Sequence, residues 1–333
     1  TYGLISKLNY DISDELEVQV GLDWRTAGIE HAREVRDLLG GDYFVNSSNK
    51  NNTTNESKMK GLGDIIAYHN STTVDWIGGF LQGKYTKDKI NLYGMGGLSS
   101  IKYSYQDHFT VANEVVNADA ISTFQVKGGI MYDVDDNVSV FANTGYVEKP
   151  PIMDNVIYYD GTVASDPLNE SFISSEAGVN FSSDNFAVKV SAYNTDWKDR
   201  NLTKSVTTGQ GDSGDTDVIF LKGIGQKHQG LEIEGSMKLN DIVRLDGAVS
   251  FGKWKFDGDA DGLYTEYAED APKETSYTYT LDGLYVGDQP QTAYVLGTTI
   301  TPMDNLRLQG IFKMYDKNYA DWSPCLLYTS DAA

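Results

Sequence analysis

Apolar and polar residues alternate along much of this chain with a period of two, the spacing that puts successive side chains on opposite faces of a strand. The pattern is clearest from Leu16 to Thr26, where Leu16, Val18, Val20, Leu22 and Trp24 share one face and Glu17, Gln19, Asp23 and Arg25 the other. Phe124, Val126, Ile130 and Tyr132 oppose Gln125 and Lys127 in the same way; Phe186, Val188, Val190 and Ala192 oppose Lys189, Ser191 and Tyr193. Leu231, Ile233, Met237 and Leu239 oppose Glu232, Glu234 and Lys238, and Val243, Leu245, Val249 and Phe251 oppose Arg244, Asp246 and Ser250. Leu306, Leu308, Phe312 and Met314 oppose Arg307, Gln309 and Lys313.

Six short turns punctuate the alternation: Asp11 to Glu15, Thr86 to Lys89, Asp133 to Asn137, Ser182 to Asn185, Leu239 to Asp241 and Pro302 to Asn305. The intervening pattern predicts twelve strands, from Tyr2 to Tyr10, Leu16 to Thr26, Val74 to Tyr85, Ile90 to Tyr105, Phe124 to Tyr132 and Val138 to Val147, then from Ser174 to Phe181, Phe186 to Asn201, Gly230 to Leu239, Val243 to Trp254, Ala293 to Thr301 and Leu306 to Tyr319. Several reach the nine to eleven residues or so that a tilted membrane crossing needs. The third and fourth, rich in glycine at Gly78, Gly79, Gly83, Gly94, Gly96 and Gly97, give no clean face.

Tight turns at one end and long connections at the other are the asymmetry of an outer-membrane β-barrel. A soluble β-sandwich also alternates, but aromatics beside the tight turns, at Tyr10, Tyr85, Tyr132, Phe181 and Phe186, fit an interfacial girdle, and mixed charges along whole polar faces fit a hydrated lumen. The fold class predicted is all-β, a partial transmembrane antiparallel barrel in the cell outer membrane, with lipid against its apolar face.

Composition narrows the alternatives. The 333 residues include 33 Gly and 22 Tyr but only 7 Pro, and no apolar run is long enough for a transmembrane helix. A net charge of -21 repels nucleic acid. One cysteine makes no internal disulfide, and Cys325 lies in a tail, 325–333, that breaks the preceding pattern and reads as non-native. The chain starts at Thr1 with a strand under way, as an internal fragment would. No nucleophile elbow, His-Glu-x-x-His pair or phosphate loop is present, so no enzyme is predicted. Histidines 31, 69, 108 and 228 read as unconnected surface residues.

Five long connections lie opposite the turns, at about Gly28 to Thr73, Gln106 to Thr123, Glu148 to Ile173, Leu202 to Gln229 and Asp257 to Thr292. The runs Gly28 to Tyr43 and Gly63 to Asn70 resemble an extracellular loop of TonB-dependent outer-membrane receptors. So do Gly145-Tyr-Val-Glu-Lys-Pro-Pro151, Ala192-Tyr-Asn-Thr-Asp-Trp-Lys-Asp-Arg200, Gly230-Leu-Glu-Ile-Glu234 and Gly283 to Gln291. The resemblance covers 1–324. It implies a barrel of about 22 strands closed by an N-terminal plug, importing a small nutrient such as siderophore iron, cobalamin or an oligosaccharide with energy coupled from the inner membrane. About twelve of those strands are present, without plug or energy-coupling box, which makes this the middle-to-late part of the barrel and incapable of transport alone. A passive porin and a soluble sandwich binding module are the competing readings.

Candidate ligand contacts in the loops are Arg33, Arg36, Tyr43, Tyr146, Tyr158, Tyr159, Trp197 and Tyr285, because aromatic rings give contact area at low rotamer cost. Candidate lumen residues, available to the plug or to water, are Glu17, Asp23, Arg25, Lys127, Lys189, Glu232, Glu234, Arg244, Asp246, Arg307 and Lys313. No cofactor is required. Asp257, Asp259 and Asp261 nevertheless have the alternate spacing of a calcium loop, with Ala268 where the closing glutamate belongs.

Overall fold

The computed structural model describes residues 1–47, 54–108, 114–158, 161–208, 215–267 and 272–320. In chain order the strands are β1 (Tyr2–Asp11), β2 (Leu16–Glu34), β3 (Phe44–Val45), β4 (Met59–Lys60), β5 (Ile65–Lys87), β6 (Ile90–Asp107), β7 (Val115–Asn117), β8 (Ile121–Asp133) and β9 (Val138–Lys149). They continue with β10 (Glu170–Ser182), β11 (Phe186–Thr208), β12 (Asp215–Lys238), β13 (Val243–Phe256), β14 (Ala260–Tyr267), β15 (Pro272–Tyr279), β16 (Pro290–Met303) and β17 (Leu306–Asn318).

The twelve predicted strands form one antiparallel path, β1-β2-β5-β6-β8-β9-β10-β11-β12-β13-β16-β17, and the six tight turns fall where the pattern put them. Side chains close several turns by accepting from the backbone, as when Asp135 Oδ1 takes the Asn137 and Val138 N–H groups at 2.8 and 2.9 Å. Asn240 Oδ1 does the same for Ile242 and Val243, both at 2.9 Å. Strands β1 and β17 do not pair with each other, so the described sheet is not closed.

The long connections differ from expectation. Much of what reads as loop is strand: β2 runs on to Glu34, β5 begins at Ile65, and β11 and β12 continue as a paired ribbon to Thr208 and from Asp215. Strand β14 adds to β12, and β15 to β14. Backbone pairing carries the ladders past the point where the apolar alternation ends.

Register settles the faces of the glycine-rich strands. Trp24 pairs with Ile77, Val20 with Leu81, Tyr85 with Leu92 and Leu98 with Phe124, so these residues continue one apolar face. The same pairing carries that face to Val140, Val179, Val190, Ile233, Val249, Tyr294 and Met314. Tyr10, Tyr85, Tyr132, Phe181 and Phe186 all lie on it beside the tight turns. Nothing covers this face among the described residues: Leu22 is 63% exposed, Leu98 72%, Leu296 53% and Phe312 60%. An apolar surface this broad marks contact with a membrane or another protein. No helix among the described residues is long and apolar enough to cross a membrane.

The opposite, polar face is the sheltered one. The segment after β9 folds back onto it, so that Val156 and Ile157 bury against Ile101, Tyr103 and Tyr105 of β6 while the Tyr103 hydroxyl donates to the Pro151 carbonyl at 3.0 Å. Tyr158 of the same segment meets Phe220 of β12 edge-on at 6.0 Å. One strap therefore touches two strands well separated in the sheet, which must curve around it. On this face aromatic rings also lie over glycines directly across the ladder, Phe80 over Gly21, Tyr93 over Gly129, Phe141 over Gly178 and Tyr193 over Gly230. A Cβ at any of these glycines would collide with the ring.

Candidate functional site

At the end of the polar face away from the tight turns, four neighbouring strands bring a group of rings together. Phe172 of β10 pairs with Trp197 of β11, and their ring centroids stand 4.7 Å apart. Trp197 is 6.3 Å from His228 of β12, which stacks on Trp254 of β13 at 5.2 Å and 14°. The Trp254 indole N–H donates to the Tyr193 hydroxyl at 2.9 Å. The rings are half-buried, so each keeps a surface open to solvent.

The polar atoms around this shelf fix its shape. Trp197 Nε1 donates to Glu170 Oε2 at 3.1 Å, and the Lys149 ammonium lies 3.1 Å from the same oxygen, neutralising a carboxylate that is buried. The Arg200 guanidinium sits 4.7 Å above the Trp197 ring, a cation–π contact that leaves its charge facing the shelf. His228 Nε2 lies 3.1 Å from Oε1 of the buried Gln226. His228 lies beyond the apolar band, which ends on β12 near Leu231, and burial pushes its imidazole below the ordinary value, with the Arg200 charge adding to the effect. The result is a neutral aromatic surface with one cation at its edge, suited to a flat, electron-rich or anionic ligand.

Of the predicted ligand contacts, Trp197 alone is in this group. Arg33 lies over Tyr68 at 5.6 Å near the end of β2. Arg36 and Tyr43 are exposed in the connection that follows. Tyr158 belongs to the strap, and Tyr159 falls outside the described residues. Tyr285 stacks on Tyr319 at 4.2 Å with Lys255 over its ring. Tyr146 is not on a loop: it lies on the apolar face, paired with Val126 and Ile173 and stacked on Phe124 at 5.0 Å. Sequence reading missed Phe172, Tyr193, Arg200 and Trp254 as a group because their meeting depends on register between strands far apart in the chain.

The eleven candidate lumen residues all share the polar face. Lys189 bridges Glu176 at 3.2 Å and Glu234 at 3.9 Å, while Arg25 pairs with Asp23 at 2.7 Å and Arg244 with Asp246 at 2.6 Å. The histidines need correction, since three are not unconnected: His228 belongs to the shelf, the His69 and His108 rings are 4.4 Å apart, and His69 Nε2 lies 2.6 Å from Glu30 Oε1, a bond that holds the Glu30 carboxyl below its usual range. Of the aspartates with calcium-like spacing, Asp259 accepts from the Leu281 and Asp282 N–H groups and Asp261 from the Thr278 hydroxyl. No metal-binding group of three or more such side chains occurs among the described residues.

A sequence profile described as "TonB dependent receptor-like, beta-barrel" matches residues 2–329. The chain belongs to the TonB-dependent receptor family. No match was found among curated protein sequences. Solved structures share the receptor fold: the closed form of the ferric-catecholate import receptor Fiu from E. coli K12 has a TM-score of 0.58 at 12% identity, over 93% of this chain and 44% of that one. The copper transporter OprC has a TM-score of 0.55 at 13% identity, over 92% and 49%. The alcaligin outer-membrane receptor FauA from Bordetella pertussis has 0.51 at 11% identity, over 94% and 50%. This TonB-dependent receptor chain spans about half the length of these relatives. The family places its unpaired sheet edges and uncovered apolar face in context, as parts of a membrane barrel wall, and rules against the soluble sandwich.

Proposed function

We propose that this chain is part of the wall of an outer-membrane receptor that imports a small nutrient with energy from the inner membrane. The apolar face meets lipid, the polar face lines the lumen, and the shelf of Phe172, Trp197, His228 and Trp254 contacts the ligand at the outer mouth. The observation that carries this reading is the opposition of the two faces: an uncovered apolar surface on one side and, on the other, a charged wall ending in rings that remain open. Within the lumen, the Lys189, Arg244 and Arg25 ion pairs would face the N-terminal plug of the whole receptor. Fold relatives bearing names of iron-chelate receptors and a metal transporter are compatible with such a role, and the ring geometry with Arg200 favours a ligand that is flat or anionic.

The test is uptake by cells expressing the whole receptor. Trp197→Ala with Trp254→Ala should lower ligand affinity by on the order of tenfold or more, since two ring contacts are worth about 0.5–1.5 kcal/mol each beyond burial, while the amount of assembled barrel stays unchanged. Uptake that continued after the inner membrane was de-energised would turn the reading to a passive porin.

A further inference from the structure

Regular pairing fails at one place on the long ribbon of β11 and β12, and it is beside the shelf. Trp197 pairs with Gln226, but the next partners are Arg200 with Ile224 and then Leu202 with Leu221. Each strand therefore carries one residue more than a regular ladder holds, β11 between Trp197 and Arg200 and β12 between Ile224 and Leu221. Each of these two intervals contains left-handed backbone, Asp199 at φ 57° and Gly223 at φ 69°. No atom lies within 4 Å of a Cβ built on Gly223, so glycine is needed there for its conformation and not for room. Aspartate is among the few other residues that adopt that conformation readily.

Bulges of this kind re-aim the side chains that follow them. On β11 the odd-numbered residues Lys189, Ser191, Tyr193 and Trp197 share the polar face, and unbroken alternation would place Asp199 next to them while turning Arg200 and Leu202 away. Instead Arg200 stands opposite Ile224, on the face of Gln226 and His228, with its guanidinium 4.7 Å above the Trp197 ring. The second bulge then brings Leu221 to the same side, where it is buried with Ile224 and Phe256 and packed by Leu202 and Trp254. The pair of bulges thus exchanges a carboxylate for a guanidinium at the edge of the shelf and roots that edge in an apolar cluster.

We propose that Asp199 and Gly223 are positioning residues for the shelf: their paired bulges turn Arg200 onto Trp197 and so set a preference for anionic over neutral aromatic ligands. The inference rests on the shelf being the ligand site, as proposed above. Neither residue need touch the ligand. The sign of the charge that a ligand meets is decided by the backbone at these two positions, because the sequence alone offers Asp199 and Arg200 side by side and only one of them can take the inward place.

The whole receptor, assembled in mild detergent, is titrated calorimetrically with naphthalene-2-sulfonate and with the neutral naphthalene-2-sulfonamide, and the ratio of the two affinities is the readout. The parent should favour the sulfonate by about tenfold, the scale of a hydrogen bond to a charged group, and Arg200→Gln should lose that preference. Asp199→Val combined with Gly223→Val should lose it as well, because β-branched residues resist left-handed backbone, whereas Asp199→Gly should keep it. Deleting Asp199 and Gly223 together should also keep it, since a regular ladder without the two extra residues still pairs Arg200 with Ile224 on the polar face. A valine variant that retained the preference, or a glycine or deletion variant that lost it, overturns the proposal. Probes that bound the parent no better than Trp197→Ala with Trp254→Ala would instead refute the shelf as the ligand site, and the positioning role with it.

Discussion

Trp254 Nε1 hydrogen-bonds the Tyr193 hydroxyl at 2.9 Å although β11 and β13 are not neighbours and β12 runs between them. Tyr193 spans the gap by lying across Gly230, where a Cβ would stand 2.5 Å from the hydroxyl. Gly230→Ala should push the ring aside and break the link. The expected cost is about 1 kcal/mol, the usual net value of one hydrogen bond, read as a lower denaturation midpoint together with a shift in tryptophan emission. An unchanged emission spectrum would show that the ring had kept its place.

Arginine at Leu296, 53% exposed on the apolar face, should cost roughly 2–4 kcal/mol near the bilayer midplane, whereas arginine at Ser250 on the polar face should cost little. Ser191, though on the polar face as well, makes a poor control because it is 2% exposed and a long side chain would have to be overpacked there. Folding into liposomes across a urea series measures both variants, and equal midpoints would refute the assignment of lipid and lumen.

Tyr103→Phe removes the donor to the Pro151 carbonyl that pins the strap. The barrel wall should be unaffected, while protease cleavage and amide exchange over residues 151–158 rise by several-fold, matching about 1 kcal/mol of lost local stability. No change in exchange there would mean that Val156 and Ile157 hold the strap by burial alone.

Acid should loosen the shelf. The folded-state pKa of His228 is lowered, so at pH values below the ordinary 6.5 the unfolded chain takes up a proton that the folded protein resists. The stability contribution is therefore complete above that value and declines as pH falls through it. A protonated His228 would also face Arg200 with like charge. The unfolding midpoint should fall on acidification below about 6.5 in the parent and much less in His228→Gln; the same pH profile in both would assign the dependence elsewhere.

The wall was legible in sequence because lipid on one side and water on the other impose a strict alternation, as in Leu16 to Trp24. Strand ends were less so: the pattern at Thr26 or Asn201 stops where the apolar band stops, while the ladder goes on to Glu34 and Thr208. Faces of β5 and β6 were hidden by glycines that carry no polarity, and only pairing of Leu98 with Phe124 reveals them. In the shelf, Trp197 stood out within a family-like run, but His228 and Trp254 acquire meaning through being opposite one another. That register is set by a turn at Asn240, twelve residues from His228 and fourteen from Trp254, and no local feature of either ring announces it.

The rings facing Gly21, Gly129, Gly178 and Gly230 occupy the space that a Cβ at each glycine would take. If the proposed import path runs along this face, the glycines decide how close to the backbone those rings can sit. Enlarging one of those glycines would tilt a ring inward like a raised tile, so its effect on passage should grow with the width of the solute, sparing small ions and slowing large chelates.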